Sequence, residues 1–273
     1  MSGLGRPGPG RPVRRRVRRW FPPALLFAAL VVVWEGWVRW RHTRTYVLPA
    51  PSRVAAALWD TRELLWGHVV TTVTETVIGV ALGTVLGVAV AVLIASSGLA
   101  RRTVEPLLVA SQTIPLIVLA PLLVLWFGFG MTPKVVVVVL IVFFPVAIST
   151  ASGLVSADPE QLDLVRSLGA GRLQELRLVR VPAALPSLFS GLRISSTYAV
   201  AGATLGELIG GRSGLGIYIA RSQRAFRYDQ ILAGVAVVTI LSIVLFGLIH
   251  VLARLATPWQ YVDAGSGVPT SSM

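Results

Sequence analysis

No cysteine occurs anywhere in this 273-residue chain, so disulfides, thiolate metal sites and thiol nucleophiles are excluded. Lysine is nearly as scarce. The sole one, Lys134, follows Met131-Thr132-Pro133 instead of closing a run of glycines, so the chain has no P-loop and ATP hydrolysis is not its own. The histidines His42, His68 and His250 lie far apart and none opens an H-E-x-x-H, which removes zinc-protease chemistry. No metal or cofactor is expected to be bound by the chain. Acidic residues number 12 against 25 basic ones, a formal charge of +13. Such a charge could suit nucleic acid, but the arginines lie in tails and between apolar segments, not on one face. Anionic lipid headgroups are the simpler partner.

What the chain has in abundance is apolar length. Hydrophobic residues make up 54% of it, and several runs reach the ~20 residues that cross a hydrocarbon core of about 30 Å as a helix. Six spans are predicted, at 21–38, 69–94, 106–129, 134–155, 186–210 and 231–255. The expected fold class is therefore all-α, a polytopic membrane protein with a single six-span domain over 21–257. A basic, disordered cytoplasmic tail (1–20) is expected before it and a flexible cytoplasmic tail (258–273) after it. The cluster Arg14, Arg15, Arg16, Arg18 and Arg19 holds the N-terminus in the cytoplasm. No small-residue cleavage site follows the first apolar run, so it reads as an uncleaved span, not a signal peptide.

Small residues recur at helical spacing in two spans. In the second, Thr72 and Thr76 lead into Gly79, Gly83, Gly87, Ala91 and Ala95, a stripe that reads as internal packing. In the fifth, Gly191, Ser195 and Ala199 lead into Gly202, Gly206 and Gly210, and this stripe reads as a mobile dimer or solute-pathway face, with packing as the plainer role. Pro115, Pro121 and Pro145 are expected to kink the third and fourth spans. Glu75 and Glu207 fall toward the outer ends of theirs. An intramembrane carboxylate invites a functional reading, and for Glu207 the options are a tie to Arg212 or to loop N–H groups, or contact with solute. Gln112 is placed to hydrogen-bond between helices. Between the first two spans, Pro51-Ser52 opens an amphipathic pattern through Val54, Leu58, Leu64 and Leu65, and Trp59 and Trp66 suit a helix lying on the outer surface.

The most informative polar stretch is 158–186. Asp158-Pro159 reads as an N-cap followed by proline at the first helical position. Leu162, Val165 and Leu168 recur at helical spacing, and Gly169 and Gly171 supply freedom for a sharp turn. A second run carries Leu173, Leu176, Leu178 and Val179, and Pro182 is expected to stop it. The whole reads as a helix–turn–helix elbow outside the membrane, between spans four and five.

At these residues the chain resembles the inner-membrane permeases of binding-protein-dependent ABC importers, whose cytoplasmic loop carries an E-A-A triplet, a glycine and an I-x-L-P ending. Asp163-Leu164-Val165 stands for the triplet, Gly169 for the glycine and Val179-Arg180-Val181-Pro182 for the ending. Trp126-Phe127-Gly128-Phe129-Gly130 and Gly214-Leu215-Gly216 look like the branch that imports nitrate, sulfonates, taurine and thiamine precursors. The resemblance implies a bacterial cell-membrane protein that pairs with a second copy of itself to form the solute pathway. It also implies two cytoplasmic ATPase subunits and an extracytoplasmic solute-binding protein as partners. Asp163, Leu168, Gly169, Ala170, Gly171 and Arg172 would then contact the ATPase, and Gly202, Gly206, Glu207 and Gly210 would line or pack the pathway. The solute it implies is a small organic one, with an inorganic anion such as nitrate next.

One reading from another class is an intramembrane serine protease, since Gly211-Arg212-Ser213-Gly214 matches a short G-x-S-G string and His250 lies in the next span. Ser213 sits in the outer loop and His250 near the inner end of the sixth helix, about 30 Å away at ~1.5 Å per residue. A nucleophile and its base need roughly 3 Å. A passive membrane scaffold would explain the spans but not the elbow.

Overall fold

The computed structural model describes residues 13–45 and 47–259, and every regular element among them is helical. Helix α1 spans Val13–Trp40, α2 Pro51–Asp60, α3 Arg62–Ser96, α4 Gly98–Ser111 and α5 Leu116–Phe127. They are followed by α6 (Met131–Val155), α7 (Pro159–Ser167), α8 (Arg172–Glu175), a π-helical turn (Leu176–Arg180), α9 (Val181–Gly210), α10 (Leu215–Arg224) and α11 (Tyr228–Ala256). The helix α1 begins inside the stretch read as a disordered tail. The rest of that tail, 1–12, and most of the C-terminal one, 260–273, lie outside the described residues.

The core is built on α6. Val138, Val142, Val146 and Ala147 are fully buried on it, and α3 and α9 flank it on either side. The close approach comes from missing side chains. A Cβ at Gly83 would lie 2.9 Å from the Val139 carbonyl oxygen and from Val142 Cβ, and one at Gly87 2.9 Å from Val146 Cγ1. From the other side, a Cβ at Gly191 would meet the Pro145 carbonyl oxygen at 2.7 Å. In lipid, helices gain little from hiding apolar surface and associate through such contact. The stripe on α3 is thus internal packing, as expected. The stripe on α9 is as well: Gly202 faces Ile141, Gly206 faces Lys134 and Gly210 faces Val124. Within one copy of the chain these glycines make room for α5 and α6; glycine spacing marks where a neighbour comes close and says nothing of which neighbour. The outward face of α9 instead carries Ile194, Thr197, Tyr198 and Ala201.

The third span differs from its expectation. In place of one kinked helix, α4 and α5 meet at a break bent by 96°. Pro115 has no N–H to continue the ladder and disfavours helical backbone in the residue before it. The amides of Gln112, Thr113 and Ile114 accordingly take tight bonds to Val109, Ala110 and Ser111. Pro121 and Pro145 stay within continuous helices. Pro182 does not stop the elbow's second helix either: α8, the π turn and α9 follow without a gap. Four helices (α1 from Pro22, α3, α6 and α11) are long and apolar enough to cross a membrane, and the bent α4–α5 pair makes a fifth if taken as one broken span. With its 30 residues α9 has the length, but it is too rich in glycine, serine and threonine to register as an apolar span. Six apolar spans are therefore not what the helices show on length and composition alone.

Candidate functional site

A buried polar cluster gathers where α3, α6 and α9 meet the loop into α10. Glu207 is fully buried near the end of α9. The chain leaves α9 at Gly210 and returns through Gly214, whose φ of +114° favours glycine and where a Cβ would fall on the Glu207 carboxyl. The bare backbone can therefore descend onto the carboxylate. Three successive amides opening α10 are satisfied by side chains, as the N-terminus of a buried helix requires. Gly214 N–H donates to His68 Nδ1 at 3.0 Å, Leu215 N–H to Thr72 Oγ1 at 2.9 Å and Gly216 N–H to Glu207 Oε2 at 2.7 Å. The Thr72 hydroxyl donates to Glu207 Oε1 at 2.6 Å. Glu207 is thus held by a loop N–H and by α3, and not by Arg212.

Lys134, in the first turn of α6, is 4% exposed, and its ammonium pairs with Glu75 Oε1. Gly206 makes room for it, since a Cβ there would stand 3.0 Å from Lys134 Cα. Sequence reasoning read Lys134 only as a lysine absent from a P-loop. A lone lysine beside an apolar valine run, with two glutamates in other spans, was the available signal.

At the other end of α9, the elbow has the expected local chemistry. Asp158 caps α7 by accepting from Glu160 N–H at 2.9 Å. Gly169, at φ +83°, closes α7 with paired bonds, its own N–H to Arg166 O at 2.9 Å and Ala170 N–H to Val165 O at 3.0 Å. Gln174 Oε1 accepts from Gly171 N–H at 2.8 Å. The charged residues then interlock. Arg166 donates to both Glu175 oxygens at 3.0 and 3.1 Å, and Arg180 donates to Glu175 Oε1 at 2.6 and 2.8 Å. Arg180 also reaches the Leu154 carbonyl of α6 at 3.3 Å. These guanidinium groups, Arg166 foremost, hold the Glu175 carboxyl below the usual carboxylate range. Asp163 pairs with Arg166 at 3.2 Å.

The elbow's apolar residues divide into two sets. Leu162 is buried with Ala157 and Val179 in a small core of its own. Leu164, Leu168 and Leu173 project into open space, and Leu168 is 78% exposed. The tip therefore presents an apolar ridge on a base fixed by capping and ion pairs. Ala170 and Gly171 sit in the turn between α7 and α8, and Arg172 opens α8.

A third feature is a groove of about 480 Å³ beside the α4–α5 break, lined by Ser111, Gln112, Phe144, Tyr198, Gly202 and apolar side chains of α5 and α6. No charged residue lines it. Gln112 is exposed here, not set between two helices. The protease reading finds no partner pair: Ser213 Oγ accepts from the Thr71 hydroxyl at 3.5 Å, while His250 lies near the far end of α11. Among the described residues no group of His, Asp and Glu could hold a metal ion.

Comparison with known proteins places this geometry. The family model described as the binding-protein-dependent transport system inner membrane component matches residues 83–260. A formylaminopyrimidine transport permease protein, ThiX, of Halalkalibacterium halodurans is 38% identical over 87% of this chain and 95% of its own length. A riboflavin transport system permease protein, RibX, of Chloroflexus aurantiacus is 36% identical over 90% of this chain and 94% of its own. The taurine transport system permease protein TauC of Escherichia coli is 30% identical over 85% and 87%. Among solved structures, inward-facing conformations of the MetNI methionine ABC transporter share the fold, with a TM-score of 0.63 at 22% identity, covering 72% of this chain and 98% of that one. On the family match and these relatives together, the chain belongs to the inner-membrane permeases of binding-protein-dependent ABC importers.

Proposed function

We propose that the chain crosses the membrane six times, pairs with a second copy to enclose the solute pathway, and couples to two cytoplasmic ATPase subunits through the elbow. The observation that carries this is the exposed ridge of Leu164, Leu168 and Leu173 on a base that is otherwise capped and ion-paired. A short helix offering a few apolar anchors to a groove concentrates binding energy in those anchors. The α8–π–α9 run continues from the elbow without a gap, so a push on the ridge reaches α9. As the sixth crossing, α9 need not be apolar throughout, because α6 covers one face and the second copy would cover the other. Solute arrives from an extracytoplasmic binding protein, and the permease alternates between inward- and outward-open states.

The uncharged, partly aromatic groove, with Gln112 and Tyr198 as its polar groups, favours a planar heteroaromatic solute such as a thiamine-type pyrimidine. The names of the ThiX and RibX relatives point the same way. A sulfonate such as taurine is the second reading, favoured by the TauC relative and by Arg193 of α9, whose buried Nε has no hydrogen-bond partner.

The test is the reconstituted transporter with Leu168→Asp. The variant should insert normally, because Leu168 touches no span, while co-purification of the ATPase falls at least tenfold, about 1.4 kcal/mol. Wild-type co-purification and solute-stimulated ATP hydrolysis would remove the elbow as the coupling site. In the wild-type complex, stimulation by a pyrimidine-loaded binding protein and not by a taurine-loaded one would select between the two solutes.

A further inference from the structure

The buried cluster carries a charge problem that its hydrogen bonds leave open. Glu75 is 2% exposed and Glu207 not at all; the single ammonium of Lys134 pairs with Glu75, and Gly206, next to Glu207, packs against the body of that lysine. With both carboxylates ionised, the buried site would hold a net charge of −1. An unbalanced charge in so poor a dielectric is costly, and such sites neutralise by shifting protonation. His68 cannot supply the missing charge. Its Nδ1 accepts from Gly214 N–H, so that nitrogen carries no proton and the ring is neutral.

The atoms show where the compensating charge belongs. Glu75 Oε1 takes the lysine, but Oε2 is buried with no hydrogen-bond partner. Such orphans are uncommon in native interiors and call for an explanation. Glu207, whose two oxygens already accept from Thr72 and Gly216, is held against the same face of α3 as Glu75, which is buried one turn beyond Thr72. A carboxylate oxygen has spare lone pairs and accepts a further donor readily.

We propose that Glu75 and Glu207 share one resident proton, carried on Glu75 Oε2 and donated to Glu207. It gives the orphan oxygen a partner and brings the cluster to zero net charge. Two carboxyl groups in contact cannot both ionise, which is the physics of every close acid pair. A metal cation fits less well. The oxygens converging here are few, and Lys134 already occupies one of them, whereas even small hard cations want about six. Of the other titratable or charged groups on the surrounding elements, Lys134 on α6 pairs with Glu75, while Tyr218 and Arg221 on α10 reach His68 on α3. The consequence is mechanical: a bridging proton ties α3 directly to α9 at the end where the α10 loop is fastened, so the three elements move as one piece.

The proton model makes a non-additive prediction. Glu75→Gln leaves Glu207 paired in charge with Lys134, and its amide N–H₂ replaces the lost donor. Glu207→Gln leaves Glu75 paired with Lys134. Each single variant keeps net charge zero and should unfold within a few degrees of wild type. The double variant strands Lys134 and should lose far more thermal stability than the two singles combined. The independent readout is infrared difference spectroscopy on the full chain in lipid nanodiscs. At neutral pH the wild type should show the C=O stretch of one buried, protonated carboxylic acid that shifts with ¹³C-glutamate and vanishes in Glu75→Gln. Absence of that band in the wild type would overturn the proposal. So would single variants as damaged as the double.

Discussion

The two ends of α9 are fastened by the same chemistry in opposite surroundings. At its C-terminal end, Glu207, Glu75 and Lys134 are sealed from solvent. Before its N-terminal end, Glu175 holds Arg166 and Arg180, and the Arg166 side chain is 51% exposed. Water decides what each arrangement is worth. Exposed ion pairs contribute little to stability because solvent screens them. A buried pair is costly to form, but removing one partner strands the other without water. The C-terminal fastening is therefore an anchor whose loss is felt as stability. The elbow fastening is a joint, which orients groups while leaving them able to shift.

The largest expected effect comes from breaking the anchor. Lys134→Met should cost on the order of 3–5 kcal/mol, the usual penalty for leaving one member of a buried pair. Thermal unfolding of the solubilised chain measures it, and a loss below about 1 kcal/mol would place the anchor in the same class as the joint. Next comes the packing that the anchor terminates. Gly83→Val pushes a side chain into Val142 and the Val139 carbonyl and should cost roughly 1–3 kcal/mol by overpacking, read by the same assay. If it proved neutral, α3 and α6 would be looser than their spacing indicates. The smallest effect belongs to the joint. The Glu175 carboxyl lies below the usual carboxylate range, so its contribution is complete above the ordinary glutamate pKa and fades as pH falls through the lowered value. Hydrogen exchange of elbow amides, Glu175 included, should accelerate in acid relative to the intrinsic rate while thermal stability hardly changes. Acceleration that set in already near neutrality would contradict the direction of that shift.

How much of this was legible in the sequence depends on the range of the interaction. The elbow's signals are local and most were realised: Asp158-Pro159 starts α7 and Gly169 turns the chain after it, although Pro182 does not stop the second helix. The apolar runs located α6, α9 and α11 to within five residues at each end, whereas α1 and α3 begin seven or eight residues earlier than expected and the third run is a broken pair. What the sequence hid was pairing across long separations. Lys134 and Glu75 are 59 positions apart, and Thr72 and Glu207 are 135 apart, so no period links them. The glycines of α9 announced a close neighbour without naming α6. Pro115 inside an apolar run reads equally as a kink or a break, and only the tertiary setting chose the break.

One feature of the elbow bears on how a push could become a turn. In the π-helical stretch Leu176–Arg180, Val181 N–H reaches back to the Leu176 carbonyl, five positions away. Pro182, which has no N–H to offer, follows directly. The helix thus stores one residue more than an α-helical path of the same reach would hold. Each residue of an α-helix advances its azimuth by about 100°. Releasing or moving that surplus by one position would re-index the phase of everything beyond it, swinging Tyr198 and its neighbours around the axis of α9 without lengthening the path from the elbow.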